Sequence, residues 1–179
     1  MQQLPDNYDE ASPHSAELFH LIIENIKDYA IFMTDVSGNI ISWNPGVERL
    51  LGYKENEIVG QPSSVIFTPE DVAAGAHLKE MELAAECGCA EDKRWHRRKD
   101  GSRFWANGML MPLKKADGTL RGFAKVMRDE TEQKLVEDNL EQVLTSITDS
   151  FYRLDADFRY TYVNRATTEM FGIAEEDFL

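Results

Sequence analysis

"AIFMTDVSGNIISWN", residues 30–44, sets apolar residues densely on both sides of Val36-Ser37-Gly38-Asn39. Ser-Gly-Asn is turn chemistry, so the stretch reads as two strands of a hairpin. Just before it, Phe19, Ile22, Ile23 and Ile26 fall at the i, i+3, i+4, i+7 spacing of one helical face. That spacing predicts a short amphipathic helix whose apolar stripe covers another surface. Just after it, PGVERLLGY opens with proline at a helix start and stops near Gly52. Residues 54–88 supply two or three further helical pieces. The last begins at Thr68-Pro69-Glu70-Asp71, where threonine can cap and the acids meet the positive end of the helix dipole, and Gly75 weakens its middle.

EDKRWHRRK, SRFWANGMLMPLKK and LRGFAKVMRD then read as three antiparallel strands joined by Lys-Asp-Gly and Ala-Asp-Gly turns. Two groups of strands separated by helices predict an antiparallel sheet with its helices segregated to one face, an α+β arrangement. From Thr131 the composition turns helix-loving and charged, with Val136, Leu140, Val143 and Ile147 stepping by four, three and four along a heptad seam. The seam spans barely two heptads, so one helix packed on its own domain stands beside a coiled coil between two copies.

The last thirty or so residues repeat the first hairpin. FMTDVSGNIISWNPGVERLLGYKENEIV lies without a gap over YRLDADFRYTYVNRATTEMFGIAEEDFL, matching Asp35 with Asp155, Asn44 with Asn164, Gly52 with Gly172 and Glu55 with Glu175. Any strand-turn-strand-helix unit shows such alternation, but not four identities at one constant offset. The chain therefore reads as one module followed by the opening of a second. The boundaries expected are a flexible arm over 1–17, a sensory domain with its cap helix over 18–128, a linker helix over 129–148 and an incomplete second domain over 149–179.

A formal charge of −13 sets the surface field against phosphate backbones and anionic lipid, so neither nucleic acid nor a membrane is an expected partner. No apolar run approaches membrane-spanning length, and the polar, acidic start is unlike a signal peptide, which reads as a cytoplasmic chain. Cys87 and Cys89 are too close in sequence for a stapling disulfide and read as free thiols. No zinc spacing joins them to His77 and His96.

YAIFMTDVSGNIISWNPGVERLLGYKENEIVG, TPED, RKDGSRFW and GFAKVMRDETEQK together resemble a PAS domain with its C-terminal PAC segment, from a bacterial multi-domain signalling protein of the sensor histidine kinase kind. The resemblance covers about residues 18 to 134. It implies a five-stranded antiparallel sheet flanked by short helices, with an N-terminal cap helix and a C-terminal signalling helix. It also implies a sensory role with no catalysis within these residues, output through a downstream domain of the same chain, and two-component phosphorelay signalling. The alternatives are a ligand-free dimerisation or docking scaffold, a haem- or flavin-binding redox or gas sensor, and the input domain of a cyclic-di-GMP enzyme.

In the strand SRFWANGMLMPLKK, Phe104, Ala106, Gly108 and Leu110 alternate with Trp105, Asn107, Met109 and Met111. By similarity to haem PAS domains the first set faces inward, with Ala106 and Gly108 leaving space for a ligand. Phe32, Asn44, Ile66, His77, Met81 and Trp95 complete the expected cavity lining. The second set is largely apolar and needs cover, either from the helix around Phe19 to Ile26 or from a second copy, so a homodimer is expected. His77 is displaced by one position from the iron ligand of haem relatives, which turns a helical side chain by about 100° and predicts a surface histidine. Trp95 and Asn44 raise flavin by the same resemblance, although Asn44 before Pro45 reads first as a helix cap. No cofactor is fixed by these residues, and a small-molecule ligand is left open.

Lys93, Arg94, His96, Arg97, Arg98, Lys99 and Arg103 form a basic patch in an acidic chain, and alternation does not decide which of them point inward. Asp129 is expected to pair with a cation and set the departure of the signalling helix, in which Thr131, Val136, Leu140, Val143 and Ile147 complete the signalling set.

Overall fold

Asp35 builds the first hairpin. Its Oδ1 accepts the backbone N–H groups of Ser37 at 2.9 Å and Asn39 at 2.8 Å, and Gly38 supplies the left-handed residue (φ 84°). The computed structural model describes residues 13–146 and 149–178, so residues 1–12 of the arm expected over 1–17, Ile147 of the heptad seam and residue 179 of the repeat lie outside the described residues. The chain divides after Thr131 into two compact units, each taken by itself.

The first unit holds strands β1 (Ala30–Asp35), β2 (Ile40–Trp43), β3 (Ala90–Arg97), β4 (Arg103–Lys114) and β5 (Leu120–Asp129) in one sheet of order β2-β1-β5-β4-β3. Every pairing is antiparallel, so the two hairpins meet in a common sheet through β1 and β5. Alternation aims Ala30, Phe32 and Thr34 of β1, Phe104, Ala106 and Leu110 of β4, and Phe123, Lys125 and Met127 of β5 to the buried face. Helices α1 (Pro13–Asn25), α2 (Pro45–Leu51), α3 (Glu55–Ile58), α4 (Pro69–Ala73) and α5 (Ala76–Cys87) belong to the same unit, with a 3-10 turn at Ser63–Ile66. The main core joins Phe32, Ile40, Val47, Leu51, Ile58, Ile66, Phe67, Phe104 and Met127.

Three local readings shift. Helix α1 opens at Pro13 rather than at residue 18, since proline fits a first helical turn where its missing N–H has no partner to lose. Thr68 does cap α4, accepting the Asp71 N–H at 3.3 Å. Gly75, however, does more than weaken one helix: at φ 68° it ends α4 and starts α5. The apolar stripe of α1 is only partly buried, with Ile22 56% exposed and Ile23 and Ile26 half-buried, and on the outer face of β4 Met109 is exposed while Trp105 and Met111 are half-buried.

The second unit carries most of α6 (Thr131–Ser146), then the hairpin β6 (Tyr152–Leu154) and β7 (Tyr160–Val163), and α7 (Arg165–Phe171). The repeat is visible bond by bond. Asp155 Oδ1 accepts the N–H groups of Asp157 and Arg159 as Asp35 accepts those of Ser37 and Asn39. Gly172 closes α7 in the left-handed conformation as Gly52 closes α2. The position of Gly38 is taken by Phe158, which holds φ 62° and is 83% exposed.

Candidate functional site

The inward face of the sheet carries charge as well as apolar side chains. Ala90, Asp92 and His96 are the buried residues of β3, and Arg94 leans the same way. Asp92 pairs with Gly108 of β4, and Gly108 pairs with Met127 of β5. Lys125 of β5 stands in the next inward row, opposite Leu110, and reaches diagonally over β4 to Asp92, Nζ to Oδ2 at 2.5 Å. The same ammonium donates to Glu80 of α5. Asp92 also accepts Arg94 Nε on Oδ1 at 2.5 Å and faces His96 Nε2 with Oδ2 at 2.7 Å. The other ring nitrogen of His96 lies 3.0 Å from the Ile66 carbonyl of the 3-10 turn.

Removing these charges from water costs several kcal/mol per ion unless partners compensate, and here each charge has partners. Burial works to raise the Asp92 carboxyl, but the His96 hydrogen bond and the Lys125 charge outweigh it and hold the group well below the usual carboxylate range. At Glu80 burial wins over Lys125, and its carboxyl is pushed up.

Beside this network lies a cavity of about 10 Å³ lined by Phe32, Thr34, Ser63, Ile66, Phe67, His77, Glu80, Met81, Leu110 and Lys125. That is room for about one water. Two lining atoms, Thr34 Oγ1 and His77 Nδ1, are buried without a hydrogen-bond partner. A space of this size holds neither a flavin nor a haem. His77 is not the surface histidine expected: it is half-buried, its ring 5.8 Å from that of Phe67. Among the described residues no group of His, Cys, Asp and Glu side chains is arranged to hold a metal ion, and both cysteines are exposed thiols.

Of the expected lining, Phe32, Ile66, His77, Met81 and Leu110 meet at the cavity, while Phe104 and Ala106 lie in the adjoining core. Three residues are elsewhere. Trp95 stands on the opposite face of β3, edge-on to its cross-strand partner Trp105 at 5.6 Å, because an odd position in the strand points away from Asp92 and His96. Gly108 leaves no ligand space, since a Cβ there would sit 2.8 Å from Met127 Cβ and from the Val126 carbonyl. Asn44 makes no side-chain cap on α2; its amide instead receives the Ile31 N–H at 2.9 Å and donates to the carbonyls of Ile26 at 2.8 Å and Tyr29 at 3.1 Å, tying the end of α1 to β1. Glu80, Asp92, His96 and Lys125 are the residues of the site that the sequence reading did not assemble.

The exit from the sheet is a second constellation. Arg98 lies over the Phe104 ring, 4.4 Å from its centroid, and donates to Asp129 Oδ2 at 2.5 Å. Asp129 Oδ1 accepts the Thr131 N–H at 2.8 Å and its hydroxyl, and Thr131 Oγ1 accepts the Trp105 N–H at 2.8 Å. Partial burial opposes the Asp129 charge, but Thr131 and Arg98 outweigh it and keep the carboxyl below its ordinary value. The first residue of α6 is thus hydrogen-bonded to β4 and, through Asp129, to the β3–β4 turn. Farther along α6, Val136 and Leu140 are exposed.

Comparison with known proteins agrees with this geometry. Family patterns for the PAS domain match residues 28–132 and again residues 138–179. The chain is 36% identical over 157 residues to the two-component system protein A of Emericella nidulans, covering 88% of this chain and 22% of that protein. It is 30% identical over 142 residues to the oxygen sensor protein DosP of Escherichia coli, covering 74% and 17%. The chain spans about a fifth of the length of these curated relatives. The solved PAS domain of a Colwellia psychrerythraea protein superposes with a TM-score of 0.61 at 26% identity, covering 65% of this chain and 98% of that one. With this sheet order, these matches and a repeat of the opening hairpin, the chain belongs to the PAS domain family.

Proposed function

We propose that residues 18–128 sense a small molecule or a neighbouring domain through the inward face of the sheet. The state of that face passes through Asp129 and Thr131 into α6 and on to an output domain of the same protein, a histidine kinase in two-component signalling. The observation that carries this reading is the exit junction, where the last strand, the β3–β4 turn and the first residue of α6 share hydrogen bonds through Asp129. A signal of this kind requires the input to favour one arrangement of the exit over another. The similarity to a two-component system protein supports the output class. Two copies joined along α6 and the apolar outer face of the sheet fit the exposed Val136, Leu140 and Met109.

A second reading, a ligand-free scaffold with a packed interior, has the cavity of about 10 Å³ in its favour. Native mass spectrometry and an absorbance spectrum of the purified chain separate the two. A retained small molecule, or a chromophore band, supports sensing through the cavity. An unliganded mass with a blank spectrum, unchanged after incubation with cell extract metabolites, supports the scaffold.

A further inference from the structure

His96 is fully buried, and both of its ring nitrogens face acceptors: Nε2 meets the Asp92 carboxylate at 2.7 Å and Nδ1 meets the Ile66 carbonyl at 3.0 Å. A carbonyl oxygen has only lone pairs to offer, so Nδ1 must carry hydrogen to hold that distance. A carboxylate imposes the same on Nε2. Neutral imidazole has one hydrogen for two nitrogens. The groups around it give the same count. On its own strand stand Asp92 and Arg94, from β5 comes Lys125, from α5 comes Glu80, and Asp71 of α4 faces Arg94 at 3.7 Å; His77 lies beyond the Phe67 ring. Asp71, Glu80 and Asp92 balance Arg94, Lys125 and His96 only when the imidazole is charged. The competing distribution puts a proton on Glu80 and leaves a lone pair of His96 against an acceptor.

We propose that His96 is an imidazolium in the folded protein, and that its second proton clasps the Ser63–Ile66 turn to β3, making one wall of the interior cavity proton-dependent. The clasp spans two segments otherwise joined by an isolated bridge between Phe67 and His96. Because Ser63, Ile66 and Phe67 line the cavity, loss of the proton loosens the wall at that point. This stands whether or not the cavity binds a ligand.

The test uses the full 179-residue chain. In isotope-labelled protein at about pH 7.5, where free imidazole with its pKa of about 6.5 is mostly neutral, long-range proton–nitrogen spectra should place both His96 ring nitrogens at the protonated position. One nitrogen at the bare position overturns the proposal. At one pH, the Val65 and Phe67 amides of His96→Gln should exchange faster than in wild type, and unchanged exchange there contradicts the clasp. Should His96→Gln fail to fold, the ring nitrogens of the wild-type chain decide alone.

Discussion

Lys125 on β5 and Asp92 on β3 meet at 2.5 Å over β4, although the two strands do not pair with each other and the two residues stand in adjacent inward rows, Lys125 opposite Leu110 and Asp92 opposite Gly108. The pair, with Glu80, ties α5 and the edge strand β3 to one ammonium on the central strand β5. Removing one member leaves a buried charge without compensation. Lys125→Ala should therefore destabilise the first unit by about 3–5 kcal/mol in urea denaturation. Replacing Lys125, Glu80 and Asp92 together by apolar residues of similar volume should cost far less. Asp92 also sets an acid limit. Its carboxyl is depressed in the folded state, so its contribution is present above the unfolded value of about 3.9 and is lost as pH falls below it. Asp92→Asn should show a flatter loss of stability below about pH 4 than wild type.

Asn44 binds four backbone groups, the Ile31 N–H and the Ile23, Ile26 and Tyr29 carbonyls, while 1% exposed, so its replacement is expected to be costly in either direction. Asn44→Ala leaves buried backbone groups unpaired, at about 1–3 kcal/mol each. Asn44→Asp keeps the acceptor for Ile31 but turns a carboxylate toward the Ile26 and Tyr29 carbonyls. Thermal melts should rank Asn44→Asp as no more stable than Asn44→Ala, and a near-native Asn44→Asp would contradict the assignment of these bonds.

Phe158 holds a left-handed backbone where the first hairpin has Gly38. A non-glycine residue in that region costs about 1–2 kcal/mol, and this side chain is exposed, so little packing offsets it. Phe158→Gly should slow amide exchange at Asp155, which bonds to the Arg159 carbonyl at 2.9 Å across the turn. Faster exchange there would show that the phenyl ring stabilises the turn.

Leu140 sits on the exposed heptad face of α6. If two copies pair along this helix, Leu140→Asp should convert a dimer to a monomer in light scattering, because the charge enters a seam otherwise lined by Val136, Leu140 and Val143. An unchanged molar mass would retire the coiled coil.

Much of the fold could be read from the residues because its signals are local. Ser-Gly-Asn, Lys-Asp-Gly and Ala-Asp-Gly mark turns, and among the four repeated identities Gly172 ends its helix as Gly52 does, while Asn164 repeats two of the backbone bonds of Asn44 at Phe151 and Asp149 and adds the helix cap that Asn44 lacks. The site was less legible. Along β3 charged residues occupy both faces, so alternation leaves open which face is buried, and an aromatic such as Trp95 suggests itself as cavity lining although Asp92 and His96 are the residues that turn inward. Two signals did point inward: Asp92 and His96 share the face of Ala90, and Lys125 stands between Phe123 and Met127 in an otherwise apolar row. The Lys125–Asp92 contact is invisible in sequence because it depends on the register of three strands, and the break at Gly75 depends on a positive φ that glycine permits but does not require.

On the proposed function, the buried face of the sheet and the start of α6 are coupled through the Asp129 junction. The most direct measurement is amide exchange over residues 129–136 in wild type, in Lys125→Met, which disturbs the interior, and in Lys125→Met combined with Arg98→Met, which also removes the clasp on Asp129. Lys125→Met alone should change protection at Thr131 and the first turn of α6, and should change nothing further once Arg98 is gone. Exchange at these amides that is indifferent to Lys125→Met, while the amides of β5 and α5 respond, would contradict it.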